Sequence, residues 1–102
     1  MLEFNEDNFK EQVLDCKIPV LVEFYGVHCP PCRALLPILE KLSKEITWMR
    51  IGKIDVENYR ISAKYDINAI PTLLIIKDGV VVRKMVGLRT EEDLRDCLEN
   101  FK

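Results

Sequence analysis

Residues 19–25 read PVLVEFY, an almost unbroken run of apolar and β-branched side chains bounded by Pro19 and Gly26. A run without polar alternation predicts a strand covered on both faces, hence one inside a sheet with helices on either side. The rest of the chain supplies those helices. Phe4 and Phe9 flank Asn5 as a hydrophobic staple around an N-cap, which predicts a helix from about Glu6 toward Asp15 with Phe9, Val13 and Cys16 on its apolar stripe. Leu35, Leu39, Leu42 and Ile46 recur at helical spacing after Pro30, and Pro37 within that segment is expected to kink it. TWMRIGKIDV reads as another strand, and NYRISAKY as a short helix capped by Asn58. TLLII and VVVRKMV flank Lys77, Asp78 and Gly79, and Asp-Gly between strand-like runs is a strong hairpin signal. Thr90 and Asp93 open a last helix that buries Leu94, Leu98 and Phe101. The order αβαβα, hairpin, α predicts an α/β fold in one domain over residues 1–102, a central mixed β-sheet flanked by helices on both faces.

Charge and composition exclude several functions. A net charge of -2 and a pI near 5.4 give no electrostatic case for nucleic acid or an anionic membrane. No stretch approaches transmembrane length, and MLEFNEDNFK lacks the basic and apolar regions of a secretory signal, so a cytoplasmic location is expected. In a reducing compartment four cysteines point to catalysis, metal binding or inert packing rather than to a disulfide framework. Cys16 and Cys97 fall on apolar helix faces, where a thiol serves as a small hydrophobe, a regulatory or intermolecular thiol being the alternative.

The other two cysteines form the segment CPPC, residues 29–32, where a strand hands over to a helix. With Cys29 as N-cap, Pro30 and Pro31 occupy the first helical positions, whose amides have no intrahelical partner in any case. The prolines therefore cost the helix little. The helix N-terminus favours negative charge, so the Cys29 sulfur should ionise readily, and the Cys32 amide is the obvious donor to a Cys29 thiolate. This presents one activated thiolate with a second thiol a turn behind it. A structural thiol pair or half a zinc site are the other readings, although His28 is the only histidine and a zinc site normally takes four ligands. A c-type haem would need the histidine after the pair, and here it precedes it. Glu23 is the one acid in the central strand. On an exposed face it would be unremarkable; under helical cover, desolvation would raise its pKa and make it a proton acceptor.

The segments VEFYGVHCPPCRALLPILEKL, KIDVEN, AKYDINAIPTLLIIKDG and Val86-Gly87 together resemble the thioredoxin family over essentially the whole chain. The resemblance implies a thioredoxin fold and dithiol-disulfide exchange, with Cys29 as exposed nucleophile and Cys32 as resolving thiol. It implies a cis bond before Pro71, against the bare preference for trans. It also implies that Ile70 and Gly87 help form the surface that holds a substrate peptide, a surface to which Pro71, Pro30, Pro31 and His28 are assigned with them; His28 is read either as a merely exposed polar residue or as one that tunes the neighbouring thiolate. Glu23 stands where the family usually carries an aspartate that serves the resolving thiol, and Lys53 matches a lysine beside that acid. The implied partners are disulfide-containing protein substrates and a separate reductase as electron donor; the implied state is a monomer without a bound cofactor. The chain departs from the family pattern WCGPC at His28 and Pro30, and has Tyr25 where a tryptophan is common. A glutaredoxin-like or an oxidase- or isomerase-like protein is the alternative within the same chemistry. A redox-inert scaffold or a metal-binding module is the alternative outside it.

Overall fold

The structure, a computed structural model, describes residues 1–102. Five strands form one sheet: β1 (Leu2–Phe4), β2 (Val20–Tyr25), β3 (Arg50–Asp55), β4 (Thr72–Lys77) and β5 (Val80–Val86). Their order β1-β3-β2-β4-β5 puts the apolar run at the centre. β1, β3 and β2 are parallel, whereas β4 is antiparallel to β2 and β5 to β4. This is the mixed sheet of the thioredoxin fold.

Both faces are covered, as the lack of alternation in β2 requires. Leu21, Leu73 and Ile75 lie beneath Leu35, Leu39 and Leu42 of helix α1 (Pro30–Glu45) and Leu94 and Leu98 of α3 (Glu91–Glu99). Val20, Val22 and Phe24 face the opposite layer, onto Phe9 and Val13, with Ile61 of α2 (Tyr59–Lys64) and Tyr65 at its margin. Side chains such as Leu39 and Phe24 are wholly buried, each contributing about 1.5 to 3 kcal/mol through apolar burial. Truncating Leu39 to alanine would cost about 2 to 5 kcal/mol, because the packed layer relaxes only partly around the gap.

The local signals hold with three corrections. First, the chain begins with a strand: β1 pairs with β3 from Leu2↔Gly52 to Phe4↔Ile54. Phe4 still meets Phe9, edge to face with centroids 6.4 Å apart, but it does so from a strand. Second, Asn5 Oδ1 accepts from the amides of Asp7 and Asn8, both at 2.9 Å, yet the helix beyond is a π-helical turn over Lys10–Leu14. The Asp15 amide donates five residues back to the Lys10 carbonyl at 2.8 Å. Third, the Asn58 side chain does not cap α2. Its Oδ1 accepts from the Glu6 amide at 3.1 Å, and Glu6 Oε2 in return accepts from the Arg60 amide in the first turn of α2 at 2.9 Å. The cap comes from across the chain.

The hairpin turn and the last helix cap match the sequence. Asp78 and Gly79 have φ of 51° and 76°, as a two-residue type I′ turn demands. Thr90 Oγ1 accepts from the Asp93 amide at 3.1 Å. α1 continues through Pro37 as one element. Leu94 and Leu98 are buried as expected, whereas Phe101, expected to be buried with them, only packs half-buried against the margin of the same layer.

Candidate active site

Three connections converge at one end of the sheet. β2 ends beside the start of β4 at Phe24↔Thr72, and Thr72 pairs in turn with Val86 at the end of β5. The loop entering α1, the segment before Thr72 and the residues after Val86 therefore meet.

Cys29 has φ −125° and ψ 100°, an extended residue placed as the N-cap of α1. The Cys32 amide donates to Cys29 Sγ at 3.3 Å. Pro30 and Pro31 have no N–H, so the donor that remains is the one expected. The two cysteines are joined as a disulfide with Cα atoms 5.2 Å apart. Exposure does not distinguish them: Cys29 is 4% exposed and Cys32 5%, so the exposed nucleophile implied by the resemblance is not seen in this oxidised form. Beside Cys29, a Cβ on Gly26 would fall 2.6 Å from Ile70 Cδ1 and 3.9 Å from Cys29 Cβ. The tip of Ile70 thus fills the space that a side chain on Gly26 would take.

Ile70-Pro71 is a cis peptide bond. Pro71 is buried and Ile70 is 36% exposed. The Pro71 carbonyl accepts from the Gly87 amide at 2.8 Å, which ties those two segments together. His28, Pro30 and Pro31 are exposed at the rim.

Beneath this surface lies Glu23, 1% exposed, with Oε2 lacking any hydrogen-bond partner. Burial pushes its carboxyl up from an ordinary 4.5 to about 7; the Lys53 ammonium opposes the shift and the Glu3 carboxylate adds to it. A cavity of about 140 Å³ is lined by Glu23, Tyr25, Cys32, Arg33, Leu36 and Lys53. It has room for several water molecules and connects the acid with Cys32 but not with Cys29.

Lys53 is the register neighbour of Glu23 on β3. Its Nζ lies 3.9 Å from Glu3 Oε1 and 4.9 Å from the Tyr25 ring centroid. The Tyr25 hydroxyl donates to Glu3 Oε2 at 2.7 Å, and burial together with that carboxylate pushes the phenol upward. Glu3 and the Tyr25 hydroxyl escaped the sequence reading because β1 did. Had Leu2–Phe4 been read as a strand, its register would have placed Glu3 beside Lys53.

Cys16 and Cys97 are buried free thiols in different layers. No group of three or more His, Cys, Asp or Glu side chains is arranged to hold a metal ion. No helix is long and apolar enough to cross a membrane.

A family model described as Thioredoxin matches residues 1–100. Thioredoxin C-2 of Corynebacterium nephridii is 46% identical over 84 residues, covering 80% of this chain and 78% of the relative. A thioredoxin of Buchnera aphidicola subsp. Acyrthosiphon pisum is 38% identical over 101 residues, covering 97% and 94%. A thioredoxin of Rickettsia bellii is 37% identical over 97 residues, covering 93% and 92%.

Proposed function

The chain belongs to the thioredoxin family and is a thiol-disulfide oxidoreductase, and from that premise we propose that it reduces disulfides in protein substrates through unequal roles for its two cysteines. The observation that carries the assignment is an asymmetry. Cys29 Sγ alone accepts an amide at the start of α1, and Cys32 alone shares a cavity with Glu23.

The amide and the helix N-terminus stabilise a Cys29 thiolate. That thiolate attacks one sulfur of a substrate disulfide; the substrate S–S bond breaks, and the departing sulfur takes the electron pair and a proton from solvent. Cys32 gives its proton to Glu23 across the cavity, and its thiolate attacks Cys29 Sγ. The mixed disulfide breaks, the second substrate sulfur leaves reduced, and the Cys29–Cys32 disulfide remains. Two electrons have passed to the substrate, and a separate reductase of disulfide-exchange chemistry must return two. A carboxyl near 7 suits this task, because it is close to half ionised at neutral pH. Lys53 moderates it.

Ile70, Pro71 and Gly87 form the edge against which a substrate peptide lies, with His28, Pro30 and Pro31 along its rim. The protein acts as a cytoplasmic monomer of one domain over residues 1–102, carrying electrons without a bound cofactor. The test is a pair of variants incubated with a model protein disulfide. Cys32→Ser should accumulate a mixed disulfide visible on non-reducing gels, and Cys29→Ser should form none. Trapping in the Cys29 variant instead would reverse the roles.

A further inference from the structure

Glu23 and Glu3 flank the same lysine. Through the register Glu3↔Lys53 and Glu23↔Lys53, all three side chains leave one face of the sheet, Lys53 in the middle. Only the outer acid approaches it: Nζ is 3.9 Å from Glu3 Oε1, whereas no ion pair within 4.0 Å joins Lys53 to Glu23, whose Oε2 is unpartnered. The outer acid is itself held, since the Tyr25 hydroxyl donates to Glu3 Oε2 at 2.7 Å. The same Tyr25 ring lies 4.9 Å from Nζ. Phenol, carboxylate and ring together hold the ammonium on the Glu3 side of the cavity lining.

The geometry points to Glu3 as a positioning residue that sets the proton affinity of Glu23 by holding Lys53 away from it. Other groups facing Glu23 do not substitute for it. From α1 come Cys32 and Arg33, and the Arg33 guanidinium is turned to the Val27 carbonyl at 3.4 Å. β4 presents Leu73, which carries no charge. On β3, Asp55 is the register neighbour of Tyr25, beyond Lys53. On β2 itself, Tyr25 acts through Glu3. An ammonium drawn to Glu3 leaves the inner carboxyl desolvated and only partly offset by Lys53, and the Glu3 charge adds repulsion of the same sign.

The inference builds on Glu23 as acceptor of the Cys32 proton, but a carboxyl titration followed by nuclear magnetic resonance in the oxidised protein tests it separately. Glu3→Gln should lower the Glu23 midpoint by about half a unit, the scale of a partly screened ion pair. Tyr25→Phe, which keeps the ring and removes the tether, should lower it by less. In a Lys53→Met background, Glu3→Gln should retain less than half of its effect, because only direct repulsion is left. An unchanged midpoint in both Glu3→Gln and Tyr25→Phe, or an equal shift with and without Lys53, would overturn the inference. If the midpoint moves while the pH profile of mixed-disulfide resolution does not, Glu3 still governs Glu23 and the proton-acceptor role fails instead.

Discussion

Glu23→Gln offers a direct thermodynamic test of the buried acid. In the oxidised protein the carboxyl titrates near 7 when folded, against an ordinary 4.5 for the unfolded chain. The folded pKa is the higher one, so the associated stability is fully present below about pH 4.5 and is lost as pH rises through 7. In that window the unfolded chain has released a proton that the native protein still holds. The difference of 2.5 units (7 − 4.5), at about 1.36 kcal/mol per unit, makes the loss about 3 kcal/mol. Glutamine keeps the shape and cannot ionise. Burying its amide adds an offset, but an offset independent of pH. Denaturant unfolding of parent and variant from pH 4 to pH 8.5 should therefore give curves that diverge by about 3 kcal/mol, the variant gaining, with the change concentrated between 4.5 and 7. For a chain of this size that is a relative gain of about 12 °C or more in Tm. Curves that run parallel within about 0.5 kcal/mol would show that Glu23 is solvated when folded and would remove the basis for its role toward Cys32.

Three further outcomes are expected. The double change Cys16→Ala and Cys97→Ala should leave turnover within about twofold and cost about 1 to 2 kcal/mol of stability, measured by insulin reduction and denaturant unfolding, because both thiols are packed away from the site. Gly26→Ala places a methyl 2.6 Å from Ile70 Cδ1, the end of a flexible side chain. It should raise KM for a peptide disulfide severalfold while unfolding shifts by about 1 kcal/mol or less, the cost of a displaced rotamer; an unchanged KM would remove Ile70 from the substrate edge. Pro30→Gly frees the spacer and increases the entropy lost on closing the disulfide, worth about 0.4 to 1 kcal/mol, which should raise the potential by about 10 to 20 mV on equilibration with glutathione buffers. A lower potential would contradict that entropic account.

The sheet core was legible because β2 carries its environment in its composition: five consecutive residues from Val20 to Phe24 are buried, Glu23 among them. The Cys29 N-cap was legible for a similar reason, since the two prolines leave a single amide to reach the sulfur. What escaped was non-local. A three-residue edge strand such as β1 has too few residues to show a period, and Phe4 reads equally well as a staple. A π-helical turn places Phe9 and Val13 inward just as an α-helix would, so side-chain pattern cannot tell them apart. Asn58 looks like a cap from its position alone, but Glu6, 52 residues away in sequence, reaches its amide partner first. The cis bond at Pro71 was expected only through family resemblance, because local sequence favours trans.

The two spare thiols make the protein its own reporter of motion. With Cys29 and Cys32 bonded to each other, Cys16 and Cys97 are the remaining free thiols, and they are packed on opposite sides of the sheet. Each keeps only a sliver of surface, 9% for Cys16 and 6% for Cys97, so full reaction with an alkylating reagent requires its own side to open. Brief labelling followed by peptide mass mapping therefore yields two separate opening rates from one unmodified molecule. Equal rates would mean that both sides come apart in a single event; a faster Cys16 would mean that the amino-terminal side breathes while the side beneath α1 and α3 stays shut.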